Sequence, residues 1–413
     1  MTDVEVRPIT DGEIADYLRS VGTAFHMGSD VSPERVDFFR ALNEGDLERR
    51  LGAFVDGALC GTTGSIGVEL TVPGGRTVPM AAVTQVTVLP THRRQGLLRE
   101  MMRYQMDTSV ANGEIVAMLV AAEWPIYGRF GYGMAVEAAG TVIDARSAVF
   151  RDAVAPRGSL EVVDLPTLRA LAPDAFDRHR LKTPGAISRP PLMWDLLTGV
   201  LVRPGEDAPK HRTRVVYRGA SGEVDGYVVY ESSETWIHNR PSIKLDVLEL
   251  IAATDEAYAD LWRFLCEIDW VSEINGHVRA LDEDLRQFFV DGRVARQTDR
   301  SDHMWVRLLD VPAALAARRY ETPVSIVLDV RDDIFGGGRF RLEGGVDGAT
   351  CTATDDGADV ALDVEVLGAA YLGGAPLHPY VVAGRIEELT PGAVDAFDRG
   401  MRTARAPWAT TGF

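Results

Sequence analysis

Between residues 78 and 107 the pattern of apolar positions changes period. Val83, Val86 and Val88, with Thr84 and Thr87, form a β-branched run suited to a pleated strand spanning Val78 to Leu89. Pro90 and Thr91 end it. Leu97, Leu98, Met101, Met102 and Met106 then recur at helical spacing. The pattern predicts strand, turn and helix, with Thr91 as a plausible cap and Arg93, Arg94 and Gln95 in the turn. Gly96 stands where the helix begins, and its missing Cβ lets an anion approach the backbone. Free N–H groups at a helix start beside two arginines would suit a phosphate or pyrophosphate. An ordinary strand-turn-helix with a solvated arginine pair has the same spacing.

The rest of the chain alternates strands and helices. A strand at Val4 to Ile9 precedes a helix through Phe25, with Asp11 as its expected cap and Ile14, Leu18 and Val21 on one face. A loop over 26–33 and a short helix over 34–42 follow. Strands at Leu51 to Leu59 and Gly61 to Val72 meet at Asp56-Gly57. Ile115 to Ala121 is almost wholly apolar, which predicts a central strand. Residues 147–158 carry charges and Pro156-Arg157-Gly158, a linker signal. A strand near Leu160, a helix, and strands at 213–219 and 223–232 come next. An echo of the first unit then appears: an apolar-alternating strand from Ile243 to Ala253, then an amphipathic helix from Asp255 to Ile268. Its turn carries Thr254, Asp255 and Glu256 in place of arginines and glycine, so an anion would be repelled. Residues 290–303 show charges without apolar periodicity, a second expected boundary. A strand at Met304 to Leu309 and a helix from Pro312 to Arg319 follow. Strands at 324–330, 339–343 and 349–353 and helices at 363–372 and 391–403 complete an α+β pattern.

Composition narrows the field. A chain of 413 residues accommodates two to three domains, and 46% hydrophobic residues supply ample core. With 43 Lys+Arg against 61 Asp+Glu, net charge is −18, unfavourable for general nucleic-acid binding and suited to a cationic substrate or simply to solubility. Cys60, Cys266 and Cys351 are scattered, fit no metal spacing and point to a reducing, cytoplasmic setting. No metal is expected. The amino terminus lacks a signal-peptide pattern, and no apolar run reaches membrane-spanning length.

Arg93-Arg94-Gln95-Gly96-Leu97-Leu98 resembles the acyl-CoA pyrophosphate loop of GNAT acetyltransferases, Gln/Arg-x-x-Gly-x-Gly/Ala, departing at Leu98. Together with Ile126-Tyr127-Gly128-Arg129-Phe130-Gly131-Tyr132-Gly133 it resembles the Eis-type (enhanced intracellular survival) acetyltransferases. That resemblance implies two acetyltransferase-like α/β domains, 1–148 and 149–300, the second without a CoA loop. An α+β domain resembling sterol carrier proteins would occupy 301–413. It implies acetyl-CoA as co-substrate, its pantetheine arm pairing with the backbone of Val86 and Val88 where two strands splay. Val86, Thr87, Val88, Arg93, Arg94, Gln95, Gly96, Leu97, Leu98, Arg99, Ala122 and Glu123 would line the site. It also implies a hexamer.

Acetyl transfer to an amine needs the amine deprotonated, a donor to the thioester oxygen and an acid for the departing thiolate. Tyr127 matches the family's acid position, with Tyr132 as substitute, and a phenol with pKa near 10 keeps its proton at neutral pH. The base implied is the C-terminal carboxylate, here on Phe413. The terminal stretch around Trp408 and Phe413 is apolar for a chain end, which implies docking. Glu123 and His26 are the alternative bases. Family members often carry an acidic residue near position 27, where this chain has Met27 with Asp30 nearby, and often an acidic penultimate residue, where it has Gly412. Both departures count against strong aminoglycoside binding. Three function classes are compatible with the sequence: an amine N-acetyltransferase, a lipid carrier led by the third domain, and an acetyl-CoA-binding scaffold.

Overall fold

The computed structural model describes residues 4–152, 154, 156–207, 211–237 and 239–413. Of the expected linker 147–158, residues 153 and 155 lie outside the described residues. The first unit runs β1 (Val4–Pro8), α1 (Ile14–Ala24), α2 (Pro33–Leu42), β2 (Arg50–Val55), β3 (Ala58–Thr71), β4 (Thr77–Val88), α3 (Leu97–Ala111), β5 (Val116–Leu119), α4 (Trp124–Tyr127) and β6 (Gly133–Asp144). Asp11 is not the first cap. Thr10 and Glu13 form a reciprocal capping box ahead of a short 3-10 turn, because Glu13 reaches the Thr10 backbone.

The second unit contains β7 (Ser159–Val162), α5 (Leu165–Arg180), α6 (Pro191–Thr198), β8 (Thr213–Arg218), β9 (Val224–Ile237), β10 (Arg240–Ala252), α7 (Asp255–Glu267), β11 (Val271–Arg279) and β12 (Ala295–Leu308). Both units share a strand-helix-parallel strand core: β4-α3-β5 in one and β10-α7-β11 in the other.

The two units make one twelve-stranded sheet, ordered β1-β2-β3-β4-β5-β12-β6-β11-β10-β9-β8-β7. β12 crosses from the second unit and inserts between β5 and β6, antiparallel to both. The expected boundary at 290–303 therefore falls largely inside a strand. Its apolar periodicity is missing because residues 296–303 lie on an open part of the sheet, as in the exposed Arg300–Glu137 ion pair. Sheets need alternation only where one face is covered.

The third unit comprises α8 (Val311–Ala317), β13 (Val324–Arg331), β14 (Gly338–Gly345), β15 (Gly348–Ala353), β16 (Val360–Asp363), α9 (Val364–Ala370), α10 (His378–Val382), β17 (Ile386–Glu388) and α11 (Ala393–Met401). Its sheet is ordered β15-β14-β13-β16-β17. α9 lies directly on the large sheet. A Cβ on Gly133 would come within 1.9 Å of the Glu365 carbonyl oxygen, so only glycine permits this approach.

Strand alternation divides the first-unit core. Met80, Ala82 and Met118 face the third unit, sharing its core with Leu328, Leu362 and Leu367. Ala81, Val83, Ala117 and Leu119 face the other way, against Met102 and Met106 of α3 and against Tyr127 and Tyr132.

Candidate active site

β4 and β5 pair in parallel only at Met80–Val116, Ala81–Ala117 and Ala82–Met118. Beyond Ala82 the two strands part, while β4 continues to Val88. A bulge helps turn β4 away. Gln85 has φ 54°, and the β3–β4 register shifts beside it. Two contacts hold the bulge: the Tyr17 hydroxyl donates to Gln85 Oε1 at 2.9 Å, and Thr62 Oγ1 donates to the Gln85 carbonyl at 2.8 Å.

The opening is a cleft of about 840 Å³. Val86, Thr87 and Val88 form one wall, and Ala122, Glu123, Ile126 and Tyr127 another. The rim carries His92, Arg93, Arg94, Gly96, Leu97, Leu98 and Arg99. All the expected site residues of the first unit line it except Gln95, which is exposed beside it. Ala24, Phe25, His92, Ile126, Arg129 and Phe130 complete the lining. Arg129 and Phe130 lie within the Tyr127 segment, so their presence was the available sequence signal. Met27, His26 and Asp30 do not line the cleft, and Met27 is exposed.

The helix begins later than Thr91. Pro90 to His92 form a separate 3-10 turn, and the Thr91 hydroxyl meets His92 Nδ1 at 2.9 Å. The cap position belongs to Gly96, at φ 90° and ψ −11°. A Cβ there would meet nothing within 4 Å, so left-handed backbone and space for a ligand explain the glycine, not packing. No side chain caps α3, which leaves first-turn N–H groups for a ligand. Among the described residues, none of the ion pairs involves Arg93, Arg94, Arg99 or Arg129. Unpaired guanidiniums next to free N–H groups make an anion site.

Tyr127 ends α4 and is 6% exposed. Burial, reinforced by the Glu123 carboxylate, pushes its phenol up to about 12. Tyr132 packs edge-on against it, with ring centroids 6.1 Å apart. The Tyr132 hydroxyl is buried without a partner and does not line the cleft.

The tail runs on the other side of the sheet. Phe413 is half-buried against the core that includes Met80, Ala82 and Met118, and it does not line the cleft.

An acetyltransferase (GNAT) domain model matches residues 5–135, and a second of the same description matches 185–308. A sterol carrier protein domain model matches 311–410. An uncharacterised N-acetyltransferase of Streptomyces avermitilis is 40% identical, with 98% of each chain covered. The N-acetyltransferase Eis of Mycobacterium tuberculosis is 36% identical over 86% of this chain and 87% of its own. The chain belongs to the Eis-type GNAT N-acetyltransferase family. Eis1 from Mycobacterium abscessus superposes with a TM-score of 0.84 at 32% identity, covering 99% of this chain and 100% of that one. This acetyltransferase is thus two GNAT domains followed by a sterol-carrier-like domain. The GNAT fold implies acetyl-CoA, and the residues present fit it: unpaired arginines and a capless helix for the anionic part, and the unpaired stretch of β4 for the amide-bearing arm. Among the described residues no helix is long and apolar enough to cross a membrane.

Proposed function

We propose that the chain transfers the acetyl group of acetyl-CoA to a primary amine of a cationic acceptor, such as a polyamine, an aminoglycoside-like compound or a lysine side chain. The parted β4 and β5 beside a rim of unpaired arginines carry the proposal most directly. Tyr127 is the general acid in this scheme. Its phenol stays protonated throughout the neutral range and faces the cleft, whereas the Tyr132 hydroxyl is enclosed. Protonating the departing sulfur avoids releasing a free thiolate.

The Phe413 carboxylate is the base. Strand alternation favours its approach from the face opposite α3, at the level where Ala82 and Met118 end the β4–β5 pairing. Acceptor and acetyl-CoA would then enter from opposite faces. The net charge of −18 favours a cation as acceptor. Met27 and Gly412 lack the carboxylates that the family resemblance implies at those positions, which weighs against an aminoglycoside as the acceptor. Cytoplasmic action and assembly into a hexamer belong to the same proposal. Light scattering showing a monomer at micromolar concentration would remove the hexamer. A lipid-carrier role is disfavoured by Leu328, Leu342 and Leu362, which are fully buried in the core shared with the first unit.

The test is thiol release from acetyl-CoA with a panel of amines, using wild type, Tyr127→Phe and a single C-terminal Gly extension. Tyr127→Phe should lower turnover by roughly 10²–10⁴. The extension turns the base into an amide and moves the terminal charge by about 3.3–3.6 Å, so it should lower turnover to a similar degree. Neither should change acetyl-CoA binding. Full activity in the Phe variant reassigns the acid, and full activity in the extended chain reassigns the base to Glu123 or His26.

A further inference from the structure

The second GNAT unit also has a pair of strands that part. β10 and β11 pair in parallel from Ile243–Val271 to Val247–Gly276, and β10 then runs on to Ala252 paired only with β9. Side chains from this unit and from the C-terminal tail occupy the gap. Arg279, buried, donates from Nη1 to the Leu250 carbonyl of β10 at 3.4 Å. Trp408 donates from Nε1 to the Val278 carbonyl of β11 at 2.9 Å. The Arg279 guanidinium lies 4.6 Å from the Trp408 ring, and His179 packs edge-on to it at 5.5 Å. The Trp408 backbone N–H donates to the Pro184 carbonyl at 2.8 Å.

Three residues later the tail is fastened again. Arg189 donates from Nε to Thr411 Oγ1 at 2.8 Å, while its Nη2 donates to Glu249 of β10 at 2.6 Å. Thr411 is 1% exposed, and the Arg189 guanidinium lies 3.9 Å from the Phe176 ring. Only Gly412 separates this contact from the terminal residue.

We propose that the gap of the second GNAT unit is the socket for the chain's own tail, with Arg189 and Thr411 as positioning residues that fix the terminal carboxylate. The proposal rests on the Phe413 carboxylate being the base. Trp408 sets where the tail enters. The Arg189–Thr411 bond sets the last fixed point before the reacting end. The unit whose turn carries Asp255 and Glu256 in place of arginines thereby acts in catalysis without binding the co-substrate.

The test uses the full chain with Thr411→Val, which keeps the shape and removes the acceptor, and Thr411→Ser, which restores it. Hydrogen exchange of the 404–412 amides reports the tail, and thiol release from acetyl-CoA with spermidine reports turnover. A hydrogen bond to a buried charge predicts roughly tenfold faster tail exchange and a roughly tenfold lower kcat in Thr411→Val. The KM for acetyl-CoA should stay within about twofold, because only the base is displaced, and Ser should recover both losses. Unchanged tail exchange in Thr411→Val overturns the socket. So does a lower kcat with the tail still protected, or an acetyl-CoA KM that rises in step with the loss of kcat. A freed tail with full turnover upholds the socket and removes the base assignment. If Thr411→Val fails to fold, Trp408→Phe, which removes the indole donor and shrinks the ring packed against Arg279 and His179, is read by the same criteria.

Discussion

The first and second GNAT units solve the same backbone problem with different contents. In each, a strand, a helix and a parallel strand pair for a few residues and then diverge. In the first, the divergence opens a cleft rimmed by arginines without acidic partners. In the second, Arg279 bridges to one strand and Trp408 to the other. The helix starts differ in the same sense. Gly96 leaves α3 without a side-chain cap, whereas the Thr254 hydroxyl accepts from the Ala257 N–H at 3.1 Å and closes α7. Beside that cap, Lys182 Nζ donates to the Ala253 carbonyl and His179 Nδ1 to the Ala252 carbonyl, both at 3.0 Å. A ligand site and a filled joint thus differ by a few side chains on one backbone plan.

The filled joint breaks most severely at Arg279. Its guanidinium holds Glu283 at 2.6 Å, and both side chains are about 5% exposed. Arg279→Ala leaves that carboxylate buried and unpaired, which should cost about 3–5 kcal/mol. Chemical denaturation measures it, and the first-unit cleft should keep its acetyl-CoA affinity in the folded fraction.

The open cleft breaks next. Arg94→Glu combined with Gly96→Asp places two negative charges on the rim. Acetyl-CoA affinity should fall at least a hundredfold, about 2.7 kcal/mol, without loss of thermal stability. Calorimetric titration checks the first part and a melting curve the second.

Acid should loosen the joint before the cleft. Burial holds the His179 imidazole down to about 4, against about 6.5 in the unfolded chain. Because the folded value is the lower one, the unfolded state takes up the proton first. Stability is complete above about 6.5 and is lost as pH falls towards 4. By pH 5 the loss should be about 2 kcal/mol. His179→Gln should flatten the pH dependence of exchange in the 404–412 amides between pH 7 and 5.

The smallest effect sharpens the comparison most. Asp255 and Glu256 are surface residues at the start of α7. Reversing both to Arg breaks their surface pairs with Arg405 and Arg157 and sets positive charge at the start of α7, so it should cost about 1 kcal/mol. It should not create a second acetyl-CoA site, because Trp408 and Arg279 still fill the gap. Calorimetry on the double variant decides this.

Much of the first unit was legible in the sequence. β4 and α3 follow from a β-branched run and from Leu97, Met101, Met102 and Met106, whose packing against the sheet is local in pattern. The bulge at Gln85 was not, since its positive φ is held by Tyr17 and Thr62, distant in sequence. Thr91 looked like a cap because hydroxyls usually serve there, but Arg94 at φ 65° and Gly96 at φ 90° continue the turn past it. β12 was hidden because its first half is solvated, so charges at 296–302 imitated a linker. The docked tail was legible from Trp408 and Phe413, but its partners at 179, 189 and 278 were not. Contacts across more than a hundred residues leave no periodicity to read.

The central claim, one working cleft and one filled by the protein itself, is tested most directly by isothermal titration of the wild-type chain with acetyl-CoA. The account predicts one equivalent bound per chain, and the same stoichiometry after Asp255 and Glu256 are both reversed to Arg. Two equivalents per wild-type chain, with one persisting after Arg94→Glu and Gly96→Asp, would contradict it.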